Sequence, residues 1–137
     1  MRVKLDGDKI RNDRIKKVEE ISCQSVYRCY QCGKCSAACP ATPEMDMLPN
    51  QVIRYLQLGL DAKVFEANTP WICASCLQCR SVCPKGVDLA RIMEAIRILQ
   101  LRKGKNEIEI RKFPKEYLEK APQIAFISGY RKFLSLS

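Results

Sequence analysis

The sequence predicts a mostly α-helical protein. Apolar residues recur at helical spacing behind residues that commonly begin helices, and no stretch of useful length alternates apolar and polar residues as a half-buried strand does. Nine cysteines in 137 residues fall mostly into two similar runs, so the thiols are expected to serve a metal centre or redox chemistry. A chain of this length is expected to form one compact domain with flanking arms.

The first two predicted helices lie before the second cysteine run. Between residues 10 and 21, apolar residues return every three or four positions, which predicts an amphipathic helix. Over residues 49–58, Pro49 suits the first helical turn and Gly59 can end the helix. We therefore expect helices on both sides of the first cysteine run.

Two aspartates are predicted to cap the helices that follow. Asp61 precedes a short turn through Phe65, and Asp88 precedes the longest helix, which ends near Gly104. The remaining predicted elements are short and lie in the C-terminal arm: an extended segment at 107–111 and helical pieces at 117–120 and 124–134.

The two cysteine runs share one spacing, C-x2-C-x2-C-x3-C-P, which is an internal duplication. Three thiolates spaced by two residues wrap one face of a cubane 4Fe-4S cluster. In two-cluster ferredoxins the fourth cysteine ligates the other cluster. The spacing therefore predicts two 4Fe-4S clusters with exchanged ligands: cluster one bound by Cys29, Cys32, Cys35 and Cys83, and cluster two by Cys73, Cys76, Cys79 and Cys39.

A pair of structural zinc sites is the alternative interpretation of the cysteine runs, because C-x2-C pairs also hold zinc. Zinc requires two such pairs at each site. It gives no reason for a third cysteine at the same spacing, for a fourth followed by proline, or for a repeat of the whole pattern. The motif therefore favours iron–sulfur clusters.

Composition excludes several classes of function. The chain contains no histidine, which excludes His-bound zinc, Rieske and histidine-ligated haem sites and all catalysis by imidazole. No stretch is long and apolar enough to predict a membrane span, and the start of the sequence lacks the apolar core of a secretory signal. Cysteine-rich chains without such a signal usually work in a reducing compartment, so we expect a cytoplasmic protein.

The net charge of +9 is unevenly distributed. Residues 1–28 contain eight basic and five acidic residues, 29–101 seven and six, and 102–137 nine and four. This pattern predicts a basic N-terminal helical arm at 1–28, a dicluster domain at 29–104 and a basic C-terminal docking extension at 105–137. The basic residues form no dense stripe, which argues against a nucleic-acid-binding protein.

The sequence resembles the C subunit of heterodisulfide reductase, an iron-sulfur electron-transfer family. The resemblance covers residues 10–134 and is carried by both cysteine runs, the insert that follows Pro49, and Pro84-Lys-Gly-Val-Asp-Leu-Ala-Arg91 after the second run. It implies an α-helical ferredoxin fold, to which the 33 residues between Cys39 and Cys73 would contribute a helical hairpin.

The resemblance also implies an electron-relay role with no catalytic residue in this chain. In the family this subunit passes electrons from a flavin-containing iron-sulfur subunit to a cysteine-rich disulfide-reducing subunit. The alternatives are a free-standing dicluster ferredoxin shuttle and an iron-sulfur subunit of another soluble oxidoreductase. We expect the two arms, rather than the cluster core, to dock the partners; the alternative is that both arms fold back onto the core.

Some residues outside the ligand pattern have simpler expected roles. Cys23 has no place in either cysteine run, and an inert buried thiol is the favoured interpretation. Lys34, Arg80 and Lys85 place positive charge near the clusters, where it would raise their reduction potentials. For these three side chains, ordinary solvated surface is the favoured interpretation.

Overall fold

The computed structural model describes residues 5–101, 108–109 and 112–134. Within them the protein is helical and contains no strand, which confirms the predicted fold class. In the described part of the chain, short 3-10 turns occupy Gly7–Lys9, Val26–Arg28 and Thr42–Glu44. The α-helices are α1 Asp13–Ser22, α2 Lys34–Ala38, α3 Pro49–Gln57, α4 Asp61–Glu66, α5 Thr69–Ile72, α6 Gln78–Ser81, α7 Leu89–Leu101, α8 Lys115–Lys120 and α9 Gln123–Phe133.

The chain divides into two compact units, Met1–Ile96 and Arg97–Ser137. The first unit holds both cysteine runs and the core. Every buried hydrophobic residue of the described chain lies in it, and the largest fully buried side chains include Ile15, Leu56, Ile92, Met93 and Ile96. The core is therefore made by α1, α3 and α7 together with the segments between them.

The N-terminal helix packs into the first unit. Ile15 and Val18 on α1 are 1% and 0% exposed, so the apolar face of the predicted arm is covered by the chain's own core. Our expectation that this face docks a partner is wrong. Asp61 helps to hold α1 in place, because its carboxylate accepts hydrogen bonds from Asn12 Nδ2 at 2.6 Å and from Arg14 Nη1 at 2.9 Å.

The predicted helix starts are largely confirmed. Pro49 begins α3, and the Asp88 carboxylate accepts a hydrogen bond from the Arg91 backbone N–H at 3.2 Å, which caps α7. Asp61 does not cap α4; it is the first residue of that helix, and Leu60 precedes it. The difference arises because its carboxylate bonds to the N-terminal segment instead.

Gly59 ends α3 in the left-handed region, with φ of +71°. A Cβ atom at this position would overlap the backbone carbonyl of Lys9. Glycine is therefore required by both the conformation and the close approach of the N-terminal segment. The predicted helical hairpin between the runs is formed by α3 and α4, which pack against each other.

The second unit contains α8 and α9, which match the two helical pieces predicted in the C-terminal arm. Its contacts within the described residues include a stacked pair, Phe113 and Tyr117, with ring centroids 6.4 Å apart. Neither helix has a buried residue. The extended segment predicted at 107–111 and the predicted end of α7 near Gly104 lie mostly or wholly outside the described residues.

Candidate iron-sulfur centre

The two cysteine runs have the same backbone conformation. In the first run, Gln31 and Gly33 adopt φ of 64° and 78°; in the second run, the equivalent residues Ser75 and Leu77 adopt φ of 55° and 62°. Each left-handed residue turns the chain sharply, so that consecutive thiols can face a common centre. The duplication seen in the sequence is therefore also a duplication of loop geometry.

A short helix completes each run, and the two helices meet. Helix α2 begins after Gly33 and carries Cys35, whereas α6 begins after Leu77 and carries Cys79. Helices α2 and α6 pack against each other. Cys39 directly follows α2, so this contact brings the end of the first run beside the second run.

Thiols from both runs line one small cavity that opens to solvent. Apolar side chains from two separate segments complete its wall: Ile53 of α3, and Val87 and Leu89 at the start of α7. The cysteines that line it are Cys29, Cys32, Cys35, Cys79 and Cys83. The four predicted ligands of cluster one thus share a cavity, although 47 residues separate Cys35 from Cys83.

Shifts in pKa also indicate that thiols of the two runs lie close together. The pKa of the Tyr30 hydroxyl is raised by loss of hydration and then by the thiols of Cys32, Cys83 and Cys29. Burial, followed by the charge of Cys73, raises the pKa of the Cys79 thiol to about 11. Cys79 therefore lies close enough to Cys73 for their charges to interact, and both are predicted ligands of cluster two.

The donor set suits iron–sulfur clusters. Soft thiolates are the ligands that such clusters take, and the cavity offers them with an apolar wall that limits access of water. In the described residues, no group of three or more Cys, Asp or Glu side chains is arranged so that it could hold a single metal ion. Thiolates that hold a cubane bind different iron atoms and so need not converge on one point.

Backbone and amide donors lie close to the sulfur atoms. The Gln31 backbone N–H donates to Cys29 Sγ at 3.4 Å, and the Gln31 side-chain amide lies 3.5 Å from the same sulfur. The Val87 backbone N–H donates to Cys83 Sγ at 3.3 Å. Hydrogen bonds of this kind stabilise the more negative, reduced state of a cluster and raise its reduction potential.

Other residues that position the runs could not be found from the sequence. Gln57 Nε2 donates to the carbonyl oxygens of Val26 and Cys29 at 2.9 and 2.8 Å, which fixes the start of the first run. At the entry to the second run, Asp46 accepts hydrogen bonds from the backbone of Asn68 and Thr69 at 2.8 and 3.0 Å. No motif signals these contacts, because the partners are 22 to 31 residues apart.

The Asp46 carboxylate is held in its charged form. Burial alone would raise its pKa, but the hydrogen bonds from the Thr69 side chain and from the backbone of Asn68 and Thr69 outweigh burial and lower it. Asp46 therefore remains an acceptor at neutral pH. It keeps α5, which leads directly into Cys73, in place.

One expectation about residues outside the ligand pattern, that for Cys23, is wrong. Cys23 is exposed rather than buried, because it ends α1 in the left-handed region and its thiol donates to the Glu20 carbonyl at 3.6 Å. Arg80 is exposed, as expected, and in addition its Nη1 lies 2.8 Å from the buried Asp88 carboxylate. Lys34 and Lys85 are exposed, as expected.

Comparison with known proteins identifies the domain. Residues 25–87 match the family model of the 4Fe-4S dicluster domain. The chain is 37% identical over 86 residues to the iron-sulfur C subunit of CoB--CoM heterodisulfide reductase from Methanopyrus kandleri, a match that covers 63% of this chain and 43% of the relative. It is 33% identical over 89 residues to the corresponding iron-sulfur C 2 subunit of Methanocaldococcus jannaschii, covering 65% of this chain and 47% of that protein.

A third relative is similar. The C2 subunit of the H(2)/formate:CoB-CoM heterodisulfide,ferredoxin reductase of Methanococcus maripaludis is 35% identical over 86 residues, covering 63% of this chain and 45% of that protein. The matches span less than half the length of these relatives. No helix within the described residues is long and apolar enough to cross a membrane. The chain thus contains a 4Fe-4S dicluster domain, which binds two clusters and supports an electron-transfer role, and over this domain it is similar to heterodisulfide reductase iron-sulfur C subunits.

Proposed function

We propose that this chain is the electron-relay subunit of a cytoplasmic heterodisulfide reductase-like complex. It would receive single electrons from a flavin-containing iron-sulfur subunit and deliver them to a cysteine-rich disulfide-reducing subunit. The observation that carries the proposal is the shared cavity, in which Cys83 of the second run lies with Cys29, Cys32 and Cys35 of the first. Ligands exchanged between the runs would keep two clusters close enough to pass electrons.

The clusters supply one-electron oxidation and reduction, and the chain supplies their ligands and surroundings. Cluster one would be held by Cys29, Cys32, Cys35 and Cys83, and cluster two by Cys73, Cys76, Cys79 and Cys39. The apolar wall of the cavity limits hydration, whereas the N–H groups of Gln31 and Val87 counter the negative charge on the sulfur atoms. These opposing effects adjust the reduction potential without any proton-transferring side chain.

The names of the relatives support the assignment to a complex, since each is a subunit of a heterodisulfide reductase. Within the chain, the C-terminal extension at 105–137 is the part best suited to hold a permanent partner. Ile124 and Ile127 on α9 are 67% and 48% exposed, and Tyr117 on α8 is 64% exposed. Apolar side chains of this size are commonly covered when subunits assemble.

Native co-purification tests the proposed function. The full chain, tagged and isolated without oxygen from its own cells, should carry iron and sulfide for two clusters. It should bring with it a flavin-containing subunit and a subunit with cysteine-rich disulfide-reducing domains. A cluster-loaded chain that elutes alone under these conditions would favour the free-standing ferredoxin shuttle, and other redox subunits would favour a different oxidoreductase.

Truncation then tests the docking role of the C-terminal extension. Removal of residues 112–137 should leave the iron content and visible spectrum nearly unchanged, because all eight predicted ligands precede that segment. It should weaken co-purification of the partner. Loss of the clusters with the partner still bound would contradict this role.

A further inference from the structure

A small cationic patch lies at the surface beside the first cysteine run, and it consists of Arg28, Tyr30 and Lys85. The Arg28 guanidinium donates to the Lys85 carbonyl oxygen at 2.9 Å, which joins the start of the first run to the segment after the second. The Lys85 ammonium lies 5.9 Å from the centroid of the Tyr30 ring. All three residues are exposed, and Tyr30 is 57% exposed.

The patch is next to the predicted ligands of cluster one. Tyr30 lies between Cys29 and the exposed Cys32, and Lys85 follows Cys83 by two residues. An electron that leaves or enters cluster one through the nearest surface would therefore cross this patch. Electron transfer between proteins requires a short distance between redox centres, so the surface beside an exposed ligand is where a redox partner would bind.

Among the described residues, the charges of the patch have no carboxylate partner of their own. Residues 21–43 and 67–87 contain four basic residues and no Asp or Glu. Of these, Arg80 is paired with Asp88, but in the described part of the chain no carboxylate lies within ion-pair distance of Arg28 or Lys85. Both unpaired positive charges would attract a carboxylate-rich partner.

We propose that the cationic patch is the docking site of an electron-transfer protein whose own redox centre is surrounded by carboxylates. Tyrosine and arginine are enriched at the centres of protein interfaces, and complementary charge accelerates association and fixes orientation. This inference rests on the proposed electron-relay function. It departs from the expectation that the arms alone dock partners, since it places one docking surface on the cluster core.

The test uses the cluster-loaded full chain and, as a probe, an acidic plant-type [2Fe–2S] ferredoxin. Binding is measured by isothermal titration calorimetry at low and at physiological ionic strength, for the wild type and for Lys85→Glu and Tyr30→Ser. Lys63→Glu is the matched control, because Lys63 is also exposed and also lies over a tyrosine ring, 5.6 Å from the centroid of Tyr55. It changes the net charge equally but lies ten residues from the nearest predicted ligand in the sequence, Cys73, whereas Lys85 lies two residues from Cys83.

Lys85→Glu should weaken ferredoxin binding about tenfold and flatten its salt dependence, since charge reversal replaces attraction by repulsion. Tyr30→Ser should weaken binding about threefold through lost contact area. Lys63→Glu should change it less than about twofold, because solvent and salt screen a charge remote from the interface. An equal loss in Lys63→Glu would show a response to net charge alone and would overturn the proposal, as would unchanged binding in Lys85→Glu.

Two further measurements exclude other roles for the patch. Reduction potentials are determined by titration followed by electron paramagnetic resonance; a lowered potential with unchanged ferredoxin binding in Lys85→Glu would mean that the patch only tunes cluster one. Phosphatidylglycerol vesicles and a single-stranded DNA oligonucleotide are titrated in parallel. Binding of either at least as tight as that of ferredoxin, and lost in Lys85→Glu, would overturn the proposal in favour of a general polyanion surface.

Failure of the docking site and failure of the proposed function give different results. A chain whose visible spectrum does not respond reversibly to dithionite would contradict electron transfer itself. A chain that is reduced normally but ignores ferredoxin in every variant and in the wild type would overturn the docking site alone. Each variant must show wild-type iron content; if Lys85→Glu does not, Lys85→Gln replaces it and should weaken binding about threefold.

Discussion

The two cysteine runs share their spacing, but they are fastened to the protein by different chemistry. The residue after the third cysteine is Ser36 in the first run and Arg80 in the second. Ser36 Oγ donates to Asn50 Oδ1 at 2.7 Å and accepts from the Asn50 backbone N–H at 3.0 Å. Arg80 instead forms an ion pair with Asp88 at 2.8 Å.

Both contacts have the same structural role, because each joins the short helix of a cysteine run to the start of a longer helix. Asn50 lies at the start of α3, and Asp88 precedes α7. The difference is electrostatic: Arg80 within the second run is paired with Asp88, whereas Arg28, before the first run, and Lys85, after the second, have no carboxylate within ion-pair distance in the described residues. A duplicated motif has thus acquired two unlike surroundings, which gives the two clusters a basis for different potentials and different partners.

Exchange of ligands between the runs has the largest expected effect. Cys83→Ala should lower the iron content from about eight to about four atoms per chain, because each cubane holds four. If Cys83 serves cluster one, adding Cys29→Ala should cause no further loss, whereas adding Cys79→Ala should remove both clusters. Iron and sulfide analysis of the two double variants decides the matter. The reverse pattern would mean that each run closes its own cluster.

The third cysteine of each run should be the slowest to react in cluster-free protein that retains its fold. Burial raises the pKa of Cys35 and, with Cys73, that of Cys79 to about 11. Since the thiolate is the nucleophile, iodoacetamide should modify Cys79 about 100-fold more slowly at pH 8 than a thiol of ordinary pKa at equal exposure. Its rate should keep rising about tenfold per pH unit up to about pH 11, whereas an ordinary thiol stops accelerating near pH 9.

Peptide mass spectrometry of the labelled protein gives these rates, with the exposed Cys76 as the reference within the same run. A Cys79 that reacts as fast as Cys76 at pH 8 would show that the cavity does not bury it. Equal rates at all nine cysteines would show that the cluster-free chain has unfolded.

Loss of the charged contact should cost more stability than loss of the neutral one. Asp88→Ala removes the buried carboxylate that caps α7 and leaves N–H groups of that helix unpaired. We expect the free energy of unfolding to fall by about 2 kcal/mol. This loss is toward the low end for buried ion pairs, because the Arg80 side chain is half exposed and can turn to solvent. Ser36→Ala should cost about 1 kcal/mol. Denaturant-induced loss of the visible cluster absorbance measures both.

Asp88→Asn is the control for this pair, because it retains the capping oxygen but removes the charge. It should lie between wild type and Asp88→Ala in stability, and the uncompensated Arg80 should raise the potential of cluster two. Equal stability of the alanine and asparagine variants would show that the ion pair, and not the cap, is what matters.

The smallest effects are expected at the equivalent left-handed positions. Gly33→Ala should cost about 1 kcal/mol, since nothing lies within 4 Å of an added Cβ atom and the cost is conformational. Leu77→Gly should change stability by less than about 0.5 kcal/mol, because relief of the left-handed conformation is offset by greater freedom of the unfolded chain. The same absorbance assay applies. A larger cost at Leu77 would indicate that its half-exposed side chain makes contacts the loop needs.

The sequence alone determined the parts of this protein that depend on local spacing. The cysteine motif predicted two 4Fe-4S clusters, and the helix starts at Pro49 and after Asp88 follow from residues whose fixed φ or short carboxylate acts within a few positions. Tertiary structure decided what depends on long-range contact: Asp61 bonds to Arg14 rather than capping α4, the apolar face of α1 is buried, and Cys23 is exposed. Such outcomes depend on contacts between residues that are far apart in the sequence, and local sequence periodicity does not encode those contacts.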